Sequence, residues 1–188
     1  MRAILIPIVV AGLVANVTRS ECAIRGPVIA PSRGGFVLLL PPEMAAAVQR
    51  AVPGLQTETL LSYHADVQKY YPFTSRQAPW AVVGDFDGDG GQDVVLDGHA
   101  GDKCYRLCVW GRARPEVDTL SVRACADRAG GEGSISVLMY VPPGKRHTNF
   151  SDDFVFIFTD AYDDYGWEKA GSTWYWKDGR WNEFFSSD

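Results

Sequence analysis

"APWAVVGDFDGDGGQDVVLDG", residues 78–98, decides how this chain is read. Its ends are apolar and β-branched, while its middle places Asp85, Asp87, Asp89 and Asp93 within nine residues. Carboxylates that close repel one another. Either the segment is a solvated Asp/Gly turn, or something positive sits among them. Counted from Asp85, the acids occupy positions 1, 3, 5 and 9, and Gly91 at position 7 can offer its backbone carbonyl. That is the ligand order of a calcium loop, in which alternate residues of a tightly wound turn converge on one ion. The glycines between the acids permit the positive φ angles such winding needs. Position 12 of an EF-hand loop is a bidentate Glu, but here it is Leu96. The flanks "AVVG" and "DVVL" read as strands, where an EF-hand has helices. The segment is therefore predicted to be a strand–loop–strand Ca2+ site with Asp85, Asp87, Asp89, Gly91 and Asp93 as ligands. With one strong ligand fewer than an EF-hand, its affinity is expected in the weak range of extracellular modules, about 10⁻⁴–10⁻³ M.

These residues resemble the calcium motif of FG-GAP and VCBS-type repeats, D-x-[DN]-x-D-G-x-x-D set between strands. The resemblance covers about 17 residues and implies calcium held by Asp85, Asp87, Asp89, the Gly91 carbonyl and Asp93. Repeats of this kind build propellers, which need at least four blades of about four strands each. One copy in 188 residues does not supply them. More loosely, "YYPF", the acidic loop, a β-rich half and a terminal aromatic hairpin resemble small exported bacterial proteins that carry a single such motif.

Working outward, "PPEMAAAVQRAVPG" (41–54) is predicted to be a helix, with proline in its first turn and Pro53-Gly54 ending it. "FVLLL" (36–40) reads as a strand, residues 21–35 as an extended leader, and residues 55–78 fit neither helix nor strand clearly. Downstream, strands are predicted near 103–110, 118–126, 134–141, 154–159, 172–177 and 180–185. "TWYWKDGRWNEFF" is a hairpin, with Asp178-Gly179 as a type I′ turn between alternating aromatic runs. Its tryptophans are read as core packing in preference to a carbohydrate or base-stacking platform. The predicted fold class is α+β, one N-terminal helix packed on a mostly antiparallel sheet.

The hydrophobic fraction of 46% and aromatic fraction of 12% suffice for a core, so a single folded domain over 21–188 is expected. A net charge of -5 without a basic run argues against nucleic acid as partner. Residues 1–20 read as a signal peptide. Arg2 gives a basic start, and "AILIPIVVAGLVA" is an apolar run of about 13 residues, short of the roughly 20 that span a bilayer. The alternative is a buried N-terminal strand. Cleavage is expected after Ala15 or Ser20, and "RSE" before Cys22 does not suit a lipid anchor. The expected location is periplasmic or secreted. Four cysteines in an exported chain suggest disulfides. Cys104–Cys125 is preferred across a turn near "RARPEV", which leaves Cys22 with Cys108.

"TDAYDDYGWE" carries Asp160, Asp163, Asp164 and Glu168, either as a second cation site or as an Asp-rich solvated loop. Together with "SDD" at 151–153 it lacks the glycines and alternate spacing of the first loop. His64, His99 and His147 stand in no catalytic motif. Asp97 and Glu168 could pair as glycosidase acids only if the fold brings them together. The expected function is an exported calcium-binding structural or interaction module for a protein or glycan partner. The alternatives are a calcium-assisted cell-envelope hydrolase using Asp97, His99 and residues 160–168, and an envelope inhibitor or immunity-type binding protein.

Overall fold

The computed structural model describes residues 25–33, 35–125, 134–148, 153–167 and 169–186. The expected signal peptide, Cys22, Glu168 and the start of "SDD" lie outside the described residues. In chain order the strands are β1 (Val28–Ser32), β2 (Gly35–Leu39), β3 (Gln56–Thr57), β4 (Gln77–Ala78), β5 (Ala81–Gly84), β6 (Asp93–Ala100), β7 (Lys103–Trp110), β8 (Glu116–Ala124), β9 (Ser136–Val141), β10 (Gly144–His147), β11 (Phe154–Ile157), β12 (Ala161–Gly166), β13 (Gly171–Lys177) and β14 (Arg180–Ser186). Helices α1 (Pro42–Ala51) and α2 (Ala65–Tyr70) and a 3₁₀ turn at Leu60–Ser62 are the named helical elements.

The α+β expectation is corrected. The fold is mostly β, with several antiparallel sheets and two short helices, and it closes into neither barrel nor propeller. Three segments account for the difference. The leader contributes strand β1, which pairs with the predicted 36–40 strand to make the β1–β2 hairpin. Residues 55–78 yield two-residue strands and a six-residue helix, and the acidic segment after Asp160 is strand β12. Every ladder between these strands is antiparallel.

The larger sheet runs β4-β5-β6-β7-β8, with β3 beside the end of β6, and the second sheet runs β14-β13-β12-β9. Both faces of the larger sheet are covered, which is why β5 and the start of β6 are buried at every position instead of alternating. On one face, Met44 and Val48 of α1 pack with Val83, Val94, Leu96, Leu107 and Val109. The helix buries Met44, Ala47 and Val48, the i, i+3, i+4 stripe of an amphipathic helix. On the other face, Val82, Val95, Cys108 and Trp110 meet Leu138, Tyr162, Trp174, Trp176 and Trp181 of the second sheet. Trp110 lies 4.8 Å from Trp176 and 5.9 Å from Trp181, ring centroid to centroid.

The β13–β14 hairpin follows its sequence signal. Asp178 (φ 52°) and Gly179 (φ 75°) form a two-residue turn with both φ angles positive, between paired Lys177 and Arg180. Cys104 is bonded to Cys125 across the β7–β8 hairpin, at a Cα–Cα distance of 5.2 Å. Cys108 keeps a buried free thiol inside the interlayer core. No helix among the described residues is long and apolar enough to cross a membrane.

Candidate metal centre

The acidic loop joins β5 to β6 and is anchored by Phe86, which is fully buried and sits 5.7 Å from the Trp181 ring. With Phe86 turned inward, its neighbours Asp85 and Asp87 are left half-buried in the loop. Gly88 (φ 77°) and Gly90 (φ 87°) take the left-handed conformations the winding requires. Loop amides then aim at the carboxylates. Asp85 accepts from the N–H of Gly88 (2.9 Å) and of Gly90 (3.1 Å), Asp87 from that of Asp89 (3.2 Å), and Asp89 from that of Gly91 (2.6 Å). One carboxylate oxygen from each of Asp85, Asp87 and Asp89 lies within 4.8 Å of the others, the arrangement of a group able to hold a metal ion. The donors are all hard oxygens, which suit calcium or magnesium rather than a soft transition metal. Among the described residues this is the one such group.

Asp93 is placed differently. It is fully buried, its Oδ2 accepts from the Phe86 N–H (2.9 Å) and its Oδ1 from the Gly111 N–H (2.7 Å). It ties the loop exit to the loop start and to the β7–β8 turn. Gly91 is in the loop, and its N–H is directed at Asp89. Burial, reinforced by Asp87 and Asp89, pushes the Asp93 carboxyl up to about 7 against the pull of its two amide donors. Its folded-state value is thus above the unfolded one. The folded protein holds a proton that the unfolded chain has released, so the associated stability is present below about pH 4 and is lost as pH rises through about 7. In EDTA the melting temperature is expected to fall between about pH 5 and pH 8, and Asp93→Asn to flatten that slope. An equally steep slope in the variant would assign it to another group.

Two residues outside the motif complete the site. Arg112, just past β7, donates to Asp87 Oδ2 from Nη2 (2.6 Å) and Nε (3.2 Å), reaches Glu116 with Nη1 (3.2 Å), and lies 5.0 Å from the Trp110 ring. It supplies positive charge to the cluster from within the chain. Asp160 accepts from the Asp85 N–H (2.9 Å) and from the Tyr140 hydroxyl (2.6 Å), bracing the loop against β12. The sequence flagged Asp160, but as part of a separate acidic segment. Arg112 carries no local signal, since its link to Asp87 spans 25 residues.

The segment around Asp160 does not gather into a second cluster among the described residues. Asp163 accepts from the Thr173 hydroxyl (2.5 Å), and Asp164 pairs with Arg106 (2.5 Å). Arg106 also forms a two-pronged pair with Asp97, Nε to Oδ1 at 2.8 Å and Nη2 to Oδ2 at 3.0 Å. Asp97 is four residues beyond Asp93, about 13 Å along the strand, so this triad is separate from the metal group. The histidines are dispersed. His64 caps α2, His99 pairs with Glu58 at 3.1 Å and His147 packs tilted against the Phe154 ring. Compared with known proteins, the chain matches no family model, no curated protein and no solved structure.

Proposed function

We propose that this chain is an exported interaction module in which a calcium ion clamps the β5–β6 turn and so fixes the surface around it. The observation that carries this reading is the convergence of Asp85, Asp87 and Asp89 at a point where β5, β6, β12 and the β7–β8 turn all make contact. These carboxylates would hold the ion, with the Gly91 carbonyl as the next oxygen of the motif, while Asp93 secures the loop through its two amide donors. The resemblance to FG-GAP and VCBS-type loops supports calcium, and the Cys104–Cys125 disulfide is compatible with an oxidising compartment. A clamped loop of this kind presents its partner, protein or glycan, with one surface instead of many.

One observation bears on the hydrolase reading: Asp97 and Asp164 share a cavity. Both are bound by Arg106, however. Burial alone would raise the Asp164 carboxyl, but Arg106, the Ser136 hydroxyl and Arg123 together hold it below the ordinary carboxylate range. That suits ligand binding better than proton donation.

Calorimetry of the protein in EDTA and across a calcium titration tests the proposal, with Asp87→Ala alongside. An ion at about 100 times its Kd adds roughly 2.7 kcal/mol. At roughly 2–4 °C per kcal/mol for a chain of this size, the melting temperature should rise by several degrees. The rise should vanish in Asp87→Ala. Equal melting with and without calcium in the unsubstituted protein would reject the proposal.

A further inference from the structure

The interlayer core changes character at one end. Val95, Cys108 and Trp110 are followed along the same faces by Asp97 and Arg106, and Tyr162 of the second sheet is followed by Asp164. There the two sheets enclose a cavity of about 270 Å³ lined by the Asp97–Arg106–Asp164 triad, Tyr162, Trp174 and Ser121. Such a triad is a poor device for stability. Desolvating the charges costs about as much as their pairing returns, and apolar residues of similar volume usually serve as well or better. A buried charge network facing a cavity is therefore a candidate binding site on physical grounds.

One further observation lies at the same place. The β7–β8 ladder breaks register between Arg106 and Leu107, opposite Ser121 and Thr119, at the cavity wall that Tyr162 also lines. Bulges beside a site re-aim the side chains around it.

We infer that this cavity binds one ring of a neutral saccharide. Asp97 and Asp164 are offset by Arg106 and by Arg123 at the edge, so the lining favours neither a cation nor an anion. Carboxylate acceptors, guanidinium donors and a phenol that can do both lie side by side, matching hydroxyl groups that each donate and accept. Tyr162 and Trp174 are stacked, 7° between planes with centroids 6.4 Å apart, and offer an aromatic ring face to the C–H face of a sugar ring. The volume is near the lower end of small-ligand sites, which run roughly 300–1,000 Å³, and suits a single ring. This assignment names the partner's class and does not depend on a cation in the acidic loop.

The test is a titration of ¹⁵N-labelled protein with D-glucose, D-galactose and N-acetyl-D-glucosamine, in EDTA and again in calcium. At least one sugar should give saturable shifts at the Trp174 indole N–H and the Arg106, Ser121 and Tyr162 amides, with or without calcium. Ser121 is exposed, so Ser121→Trp should fold normally, block the cavity and weaken binding at least about tenfold. Trp174→Ala should do the same by removing an aromatic ring. No saturable shift with any of the three sugars, or saturable shifts left unchanged by Ser121→Trp, would overturn the inference. The calcium proposal fails on melting and this one on titration, so the two failures are told apart.

Discussion

Replacing Arg106 with alanine is expected to lower folding stability by about 3–5 kcal/mol in chemical denaturation, one of the largest single-residue effects in the protein. Arg106 and Asp97 are 8% and 4% exposed, and Arg106 is the cation that holds both Asp97 and Asp164. Without it, buried Asp97 and half-buried Asp164 face each other with no compensating charge, and the cost is that of uncompensated burial, above all at Asp97, more than of lost attraction. The triple substitution Asp97→Leu, Arg106→Met, Asp164→Leu should therefore recover most of the loss, because the triad is a liability that an apolar core does not carry. A loss below about 1 kcal/mol in Arg106→Ala would show that water reaches the triad freely. In the unsubstituted protein Asp164 is held below its ordinary value, so its stabilising contribution is present above about pH 4 and is lost as pH falls through the folded-state value. Arg106→Ala should reverse that trend, gaining stability on acidification as the stranded carboxyls take up protons.

What could be read from the sequence is what depends on neighbours along the chain. The helix at Pro42–Ala51, the Asp178-Gly179 hairpin, the strand before the "RARPEV" turn and the Cys104–Cys125 bond all rest on local periodicity, turn chemistry or symmetry about a turn. Strand β12 shows why the remainder could not be read. "DAYDDYG" looks like a solvated loop because its acids have no partner nearby in sequence. In the fold each has one: Asp160 the Asp85 amide 75 residues away, Asp163 the Thr173 hydroxyl, and Asp164 Arg106 at 58 residues. The same limit hid Arg112 from the metal loop, and it made the helix seem a larger share of the fold than it is. The spacing of Asp85, Asp87 and Asp89 was legible since one tight turn contains all three. Asp93 continued the pattern in sequence, but strand β6 had already begun at that residue and carried its side chain inward.

Gly111→Ala should be the most damaging substitution around the metal loop, although Gly111 belongs to no motif. A Cβ built there falls 2.1 Å from the Gln92 carbonyl oxygen and 2.7 Å from its carbon, both backbone atoms that cannot step aside. The contact is reciprocal, since a Cβ on Gly91 would lie 2.8 Å from the Gly111 carbonyl oxygen. The β7–β8 turn and the loop exit thus touch backbone to backbone, and an alanine must part them. Parting them withdraws the Gly111 N–H from buried Asp93 and shifts the next residue, Arg112, off Asp87. A cost of at least about 3 kcal/mol is expected from the clash and the loss of one of buried Asp93's two amide donors together. Gly90→Ala is the fitting comparison, because its Cβ meets nothing within 4 Å and only its positive φ (87°) is strained, worth about 1–2 kcal/mol. Calcium should separate the two further. Gly90→Ala perturbs one turn of the loop, whereas Gly111→Ala removes the support that holds Asp87 beside Asp85 and Asp89. Its melting temperature should therefore lose most of its calcium response. Equal costs in the two variants would mean that the turn yields without disturbing the loop, and that the three acids converge through the loop's own amides alone.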